Sequence, residues 1–198
     1  MINNFIKRYY CAHKIFKSNF LIKTEDIKLK VKNYKKLNFS FCEVRGGEWD
    51  LDVTNICNQD KYKSIIDHFE HGVPWEETPI FKHQYKRRLS MGEPVKGCFS
   101  LEELIFFYQS NIDNLYLNVK KKGVLESRFF NRIDPMYINL GRSGEILWGS
   151  GGNHRLAIAK SLGIEYVPVR VRVCHEEFYE FIEGFGVPHF LKPTGFYK

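Results

Sequence analysis

The sequence predicts an α+β protein in which a small mixed sheet carries flanking helices. Three observations lead to this class. Short runs of alternating apolar residues mark strands near both ends of the chain, and apolar residues at helical spacing occupy its middle, over about 59–122. A glycine-rich turn joins an apolar strand to a helix over residues 146–163. We therefore expect one domain over residues 23–198 with a helix-rich insertion at about 59–122.

The N-terminal half begins with a helical pattern and continues with strands. Residues 1–22 intersperse apolar side chains with lysine and arginine, which predicts a basic amphipathic helix. We expect this helix to pack on the protein or on a partner; an anionic membrane surface is the alternative. Apolar residues then alternate over 27–31 and again over 37–44, which predicts two strands.

Three helical segments are predicted in the middle of the chain. Residues 59–71 have apolar side chains at helical spacing and are followed by glycine, and a second, strongly basic helical segment covers 75–88. Ser100 and Glu103 have the spacing of a capping box, in which each side chain bonds the other residue's backbone N–H. They predict the start of a long helix that ends near Gly123.

The C-terminal part combines strands with the glycine-rich turn. Residues 136–148 predict a β-hairpin, and residues 166–173 alternate valine with arginine, as in a strand. Because proline has no N–H to donate, Pro168 implies either that this is an edge strand or that Pro168 lies among the strand's first residues. A short helix is expected over 178–182, followed by an irregular tail.

The turn at residues 149–155 has an unusual charge. A helix N-terminus carries about half a positive charge and usually attracts Asp or Glu, but the first turn here offers Asn153, His154 and Arg155. With Gly151 and Gly152 before them, free backbone N–H groups and a guanidinium would face the same anion. The alternative is that Asn153 is only an N-cap and Arg155 a solvated residue.

Composition fits a folded protein with an anionic partner. The hydrophobic fraction of 43% excludes a disordered chain, and the formal net charge of +7 favours nucleotide, nucleic acid or a phosphorylated small molecule. The five cysteines show no CxxC pair and no Cys/His spacing, so the sequence supports neither a disulfide framework nor a zinc site. With no apolar run of roughly 20 residues and an N-terminus interrupted by basic residues, we expect a cytoplasmic protein without a membrane span.

The hairpin, the Gly-Gly-Asn-His-Arg turn, its helix, the Leu-Gly pair and the Val-Pro-Val strand together resemble the core of the ParB/sulfiredoxin superfamily, over about 133–173. In ParB-type proteins the matching turn reads Gly-Glu-Arg-Arg and binds CTP phosphates. In sulfiredoxin it reads Gly-Gly-Cys-His-Arg and holds ATP, and in free-serine kinases a Gly-His-His-Arg turn binds an adenine nucleotide. The resemblance implies a ParB/sulfiredoxin-like fold and a nucleotide-phosphate site at Gly151, Gly152, Asn153, His154 and Arg155.

Two departures limit what the resemblance implies. Asn153 stands where sulfiredoxin has its catalytic cysteine, so sulfinic-acid repair is not expected. The core is not followed by a helix-turn-helix, so chromosome segregation is not expected either. The charged loop Arg45–Asp50 lies upstream of the core, where superfamily members carry a loop that contributes a base or a second nucleotide contact.

We therefore predict a nucleotide-dependent phosphotransferase or nucleotide hydrolase, because phosphoryl transfer depends mainly on positioning and charge neutralisation. Its ligand is expected to be ATP, ADP or CTP with Mg²⁺, and its acceptor is an unidentified small molecule. Arg155 would clamp phosphate, with His154 as a second donor and catalytic residue. Asp50 or Glu48 would serve as general base or metal ligand.

Two other functions remain open. The basic segment 82–88 and the pair Arg170 and Arg172 agree with a DNA-binding or nuclease module. A non-catalytic sensor, which binds a nucleotide and presents the N-terminal helix to a partner, is the third hypothesis.

Overall fold

The computed structural model describes residues 16, 19–33, 37–123, 136–149 and 151–193. They form a mixed sheet and helices, which confirms the α+β class. The chain divides into two compact units. The first comprises Met1–Ile56, Ser127–Gly152 and Glu165–Lys198, and the second comprises Cys57–Glu126 and Asn153–Ile164. The predicted insertion at 59–122 falls within the second unit.

The first unit contains an eight-stranded mixed sheet with the order β4-β2-β6-β5-β7-β1-β8, and β3 pairs with β7. The strands are β1 Phe20–Lys23, β2 Leu29–Val31, β3 Glu43–Arg45, β4 Val53–Asn55, β5 Tyr137–Leu140, β6 Ile146–Trp148, β7 Tyr166–His175 and β8 Lys192–Pro193. Strand β7 runs parallel to β5 and β3 and antiparallel to β1. A buried cluster of Val31, Phe39, Trp49, Leu147 and Val173 forms a core of this unit.

Strand β7 shows how a proline fits inside a sheet. Pro168 pairs with Leu21 of β1, whereas pairing with β5 begins at Arg170, whose N–H donates to the Met136 carbonyl at 2.9 Å. Pro168 therefore lies among the first residues of the strand, before a donor toward β5 is needed. This position is one of the two that its sequence predicted.

Two predictions for the N-terminal half need correction. The end of the expected helix at 1–22 is strand β1, because Phe20 and Ile22 alternate into the core and pair with Val169 and Val167; residues 1–15, 17 and 18 lie outside the described residues. The strand expected over 37–44 is reduced to β3. Positive φ angles at Asn38 (47°) and Cys42 (53°) interrupt the extended backbone there.

The second unit is helical. Its helices are α1 Asp60–His71, α2 Lys86–Ser90, α3 Leu101–Tyr108, α4 Asn114–Lys122 and α5 Asn153–Ser161. Helix α1 ends at Gly72 in the left-handed conformation, as its sequence predicted. A π-helical turn, Phe81–Tyr85, leads into α2, and another, Gln109–Asp113, joins α3 to α4. The helix predicted to run on to Gly123 is therefore interrupted once.

The start of α3 is capped, with one change from the predicted box. The Ser100 hydroxyl accepts a hydrogen bond from Glu103 N at 3.1 Å. The Glu103 carboxylate accepts from Phe99 N at 2.8 Å, where the capping box would place the N–H of Ser100. The Ser100 side chain therefore satisfies one orphan donor of the helix, Glu103 N–H, while the Glu103 carboxylate binds the N–H that precedes the N-cap.

The first unit also contains helix α6, Glu176–Phe185, which follows β7 directly. Its N-cap is His175, whose Nδ1 accepts from Glu177 N at 3.3 Å. Cys42, Cys57, Cys98 and Cys174 are free thiols. In the part of the chain that the structure describes, no helix has both the length and the apolarity that crossing a bilayer requires.

Candidate phosphate-binding site

The predicted strand, turn and helix are all present around residues 146–161. Strand β6 ends at Trp148, and α5 begins at Asn153. Between them Gly151 and Gly152 have φ angles of 81° and 64°, which glycine adopts without steric cost. Asn153 is the first helical residue, one position later in the helix than the N-cap that the alternative interpretation assigned to it.

Positive charge is concentrated at the start of α5. The first turn of this helix contains no acidic residue. The charges of Lys61, at the start of α1, and Lys96, in the loop before α3, act on His154 together with that of Arg155. Burial and these three cations lower the pKa of His154 to about 3. The imidazole is therefore neutral at pH 7, in a region of positive potential that favours an anion.

Arg155 and His154 were predicted as candidate site residues from the sequence, whereas Lys61 and Lys96, whose charges act on His154, were not. The chain has 30 lysine and arginine residues spread along its length, so no local pattern distinguishes these two. Only the fold of the second unit brings their charges within range of His154. Lys96 has a positive φ of 56°, a backbone conformation that is uncommon for lysine and cannot be predicted from the sequence around it.

A chain of hydrogen bonds leads from the interior of the second unit to His154. The Tyr85 and Tyr108 hydroxyls lie 2.9 Å apart, and the Tyr108 hydroxyl lies 3.1 Å from Nε2 of His154. Both tyrosines are buried, and the Tyr108 ring packs edge-on against the imidazole. The ring of His154 is thus held at a fixed orientation by Tyr108.

Asp50 and Glu48, the predicted bases, lie in the first unit. The Asp50 side chain is 3% exposed. Its carboxylate accepts hydrogen bonds from Arg142, from the main-chain N at 2.8 Å, Nε at 3.0 Å and Nη2 at 2.8 Å. Burial acts to raise the pKa of Asp50, but the hydrogen bonds from Arg142 outweigh it, and the pKa is lowered.

This engagement favours a structural role for Asp50 over the predicted role as a base, because its lone pairs are committed to Arg142. Arg142 and His175 also hold the loop before Asp50: both donate to the Gly47 carbonyl, at 2.9 and 2.8 Å. Glu48 is exposed on the same loop. The assignment of Glu48 or Asp50 as base or metal ligand stays a prediction.

Some of the basic residues behind the DNA-binding hypothesis have partners within the protein. Lys82 pairs with Glu77 at 2.7 Å, and Arg88 pairs with Glu93 at 3.1 Å. Arg172 donates to the Phe39 carbonyl through Nε and Nη2. The two ion pairs reduce the net positive charge that segment 82–88 offers to a polyanion. Binding to nucleic acid stays a prediction.

The described residues contain no group of three or more His, Cys, Asp or Glu side chains that could hold a metal ion. Mg²⁺ entering with a nucleotide would take most of its ligands from phosphate oxygens and water, as this ion commonly does.

No family model, no curated protein and no solved structure matches the chain.

Proposed function

We propose that the N-terminus of α5 binds the phosphates of a nucleotide. The observation that carries this proposal is that the charges of Lys61, Lys96 and Arg155 all act on His154, at a helix start whose first turn has no carboxylate. Helix N–H groups and the aligned peptide dipoles favour an anion at this position. The added cations lower its energy further, because charge-assisted hydrogen bonds are stronger than neutral ones.

The class of nucleotide-dependent enzyme rests on the resemblance to the ParB/sulfiredoxin superfamily. In support of that resemblance, hairpin β5–β6 precedes the turn and α5, and the following β7 runs parallel to β5. On this basis the protein is a phosphotransferase or nucleotide hydrolase that takes ATP, ADP or CTP with Mg²⁺. Arg155 serves as the phosphate clamp and His154 as a second donor.

Isothermal titration calorimetry with ATP, ADP and CTP, each with and without Mg²⁺, tests the proposal. At least one nucleotide should bind, and Arg155→Ala should weaken its binding by roughly tenfold to a hundredfold, the usual effect of losing a hydrogen bond to a charged group. Arg87→Ala is the matched control, since it removes the same charge from an exposed position in the same unit.

Absence of binding for all three nucleotides would overturn the proposal, and equal losses in the two arginine variants would overturn the site. Conversion of the nucleotide to its product with one phosphate fewer, measured under saturating nucleotide with and without candidate acceptors, detects both hydrolysis and phosphoryl transfer. It therefore separates an enzyme from a non-catalytic sensor.

A further inference from the structure

The hydrogen-bond chain from Tyr85 to His154 determines which ring nitrogen of His154 carries the proton. Each tyrosine hydroxyl has one proton to donate, and a buried donor without an acceptor costs free energy. Among the described contacts, the Tyr85 hydroxyl meets one polar partner, the Tyr108 oxygen at 2.9 Å. Tyr85 must therefore donate to Tyr108.

The direction of the next bond follows from the first. With its oxygen accepting from Tyr85, the Tyr108 hydroxyl has Nε2 of His154, at 3.1 Å, as the acceptor for its own proton. In the reverse arrangement Nε2–H would donate to Tyr108 and Tyr108 to Tyr85, and the buried Tyr85 proton would be left without an acceptor. Nε2 is therefore an acceptor, and a neutral His154 carries its proton on Nδ1.

We propose that Tyr108 is a positioning residue that holds His154 in the Nδ1–H tautomer and so makes Nδ1–H the imidazole's donor to bound phosphate. This inference rests on the proposed function of the α5 N-terminus. Because the pKa of His154 is about 3, its imidazole stays neutral between pH 5 and 8, and Nδ1–H can donate a hydrogen bond throughout that range. The groups that act on the ring are Lys61, Lys96 and Arg155 by charge and Tyr108 by its hydroxyl.

The tautomer is tested first, on the protein without ligand. Long-range ¹H–¹⁵N correlation spectra of ¹⁵N-histidine protein distinguish protonated from unprotonated ring nitrogens, and the His154 signals are those missing in His154→Asn. We expect a protonated Nδ1 and an unprotonated Nε2, unchanged from pH 5 to 8. Tyr108→Phe should allow the Nε2–H form, whereas Tyr85→Phe, which removes the neighbouring hydroxyl, should leave the tautomer as it is. A protonated Nε2 in the unsubstituted protein overturns the proposal.

The role in binding is tested with ATP and Mg²⁺ as the probe. Tyr108→Phe should weaken binding about twofold to tenfold, the range for one neutral hydrogen bond. An asparagine amide places its N–H near the position of Nδ1, so His154→Asn should keep most of the affinity and should make it insensitive to Tyr108→Phe. His154→Gln, whose amide lies near the position of Nε2, should bind as weakly as Tyr108→Phe.

The same loss from Tyr108→Phe in the His154→Asn background overturns the proposal, because it would show that Tyr108 acts on the fold. If Tyr108→Phe unfolds, the double variant Tyr85→Phe/Tyr108→Phe replaces it, since removing both hydroxyls leaves no orphaned buried donor between them. If the unsubstituted protein does not bind ATP, ADP or CTP, the proposed function is overturned, and with it the role of Nδ1–H as a donor to phosphate. The spectra still decide which tautomer of His154 is present.

Discussion

The carboxylate of Asp50 is bound by Arg142, a residue 92 positions further along the chain, through one main-chain and two side-chain N–H groups. This pair ties the Arg45–Asp50 loop to the turn between β5 and β6. His175 adds to it from the end of β7, with its Nε2 3.9 Å from an Asp50 oxygen. The charged loop singled out by its sequence is thus anchored to the sheet by its last residue.

Asp50→Asn should destabilise the protein by about 1.5–3 kcal/mol, because it weakens charge-assisted hydrogen bonds at a buried position. Chemical denaturation provides the measurement. Asp52→Asn is the matched control, since its ion pair with Lys32 is exposed at both ends and should contribute less than about 1 kcal/mol. Similar losses in the two variants would show that the Asp50 contacts contribute no more than a surface pair.

Lys96→Ala should weaken the binding of ATP, because the charge of Lys96 reaches His154 at the candidate site. The loss should be about twofold to tenfold and should shrink at high salt, since this lysine is exposed and screened. Lys121→Ala, at an exposed position on α4, is the control and should leave affinity unchanged. A loss that does not depend on salt would contradict an electrostatic role.

Stability should fall as the pH is lowered below about 6.5, in part because of His154. The unfolded chain binds a proton on this residue near pH 6.5, whereas the pKa of His154 in the folded protein is about 3. Between these two pKa values the unfolded state therefore binds more protons than the folded state. As the pH falls through this range, the free energy of unfolding drops by up to about 1.4 kcal/mol per pH unit.

Urea unfolding at pH 7.5 and pH 5 measures this contribution. His154→Asn has no ionisable group at this position, so its stability should fall less between the two pH values than that of the unsubstituted protein. Parallel losses in both proteins would mean that His154 is protonated in the folded state as readily as in the unfolded chain.

Ser100→Ala should cost about 1 kcal/mol of stability, the usual effect of removing an N-cap acceptor. Its hydroxyl accepts from Glu103 N at the start of α3. Ser110→Ala, at an exposed position in the following π-helical turn, should change stability by less than about 0.5 kcal/mol. Thermal unfolding of the two variants compares these effects directly.

Local patterns predicted most of the regular structure. Helix α1 with its terminal glycine, the hairpin β5–β6, strand β7 and the start of α5 follow from apolar spacing and turn residues that act over a few positions. The π-helical turn at Gln109–Asp113 was not predicted, because its sequence continues the helical spacing on both sides. The strand at Phe20–Lys23 was missed for a different reason: its alternation is short, and pairing with β7 decides its conformation.

The candidate site was predictable only where it is local. Asn153, His154 and Arg155 stand together in the sequence, and their charge at a helix start is unusual in itself. Tyr108 contacts His154, and the charges of Lys61 and Lys96 act on it, only because of the tertiary structure. A single sequence contains no sign of these relationships. The partner of Asp50, Arg142, is likewise a long-range contact, so the structural anchor of the Arg45–Asp50 loop was not predictable from the sequence.

The helical unit is assembled from two separate stretches of chain, 57–126 and 153–164. Helix α5, which packs on α1 and α4, belongs to the second stretch, and its residues Leu156, Ala157, Ile158 and Ala159 are buried. During translation α1 and α4 leave the ribosome before α5 exists, so the surface that α5 will cover stays open to water, chaperones or proteases until about residue 161 has emerged. A nascent chain stopped within 127–152 would therefore lack helix α5, which completes the packing of this unit and contains the residues of the proposed phosphate site.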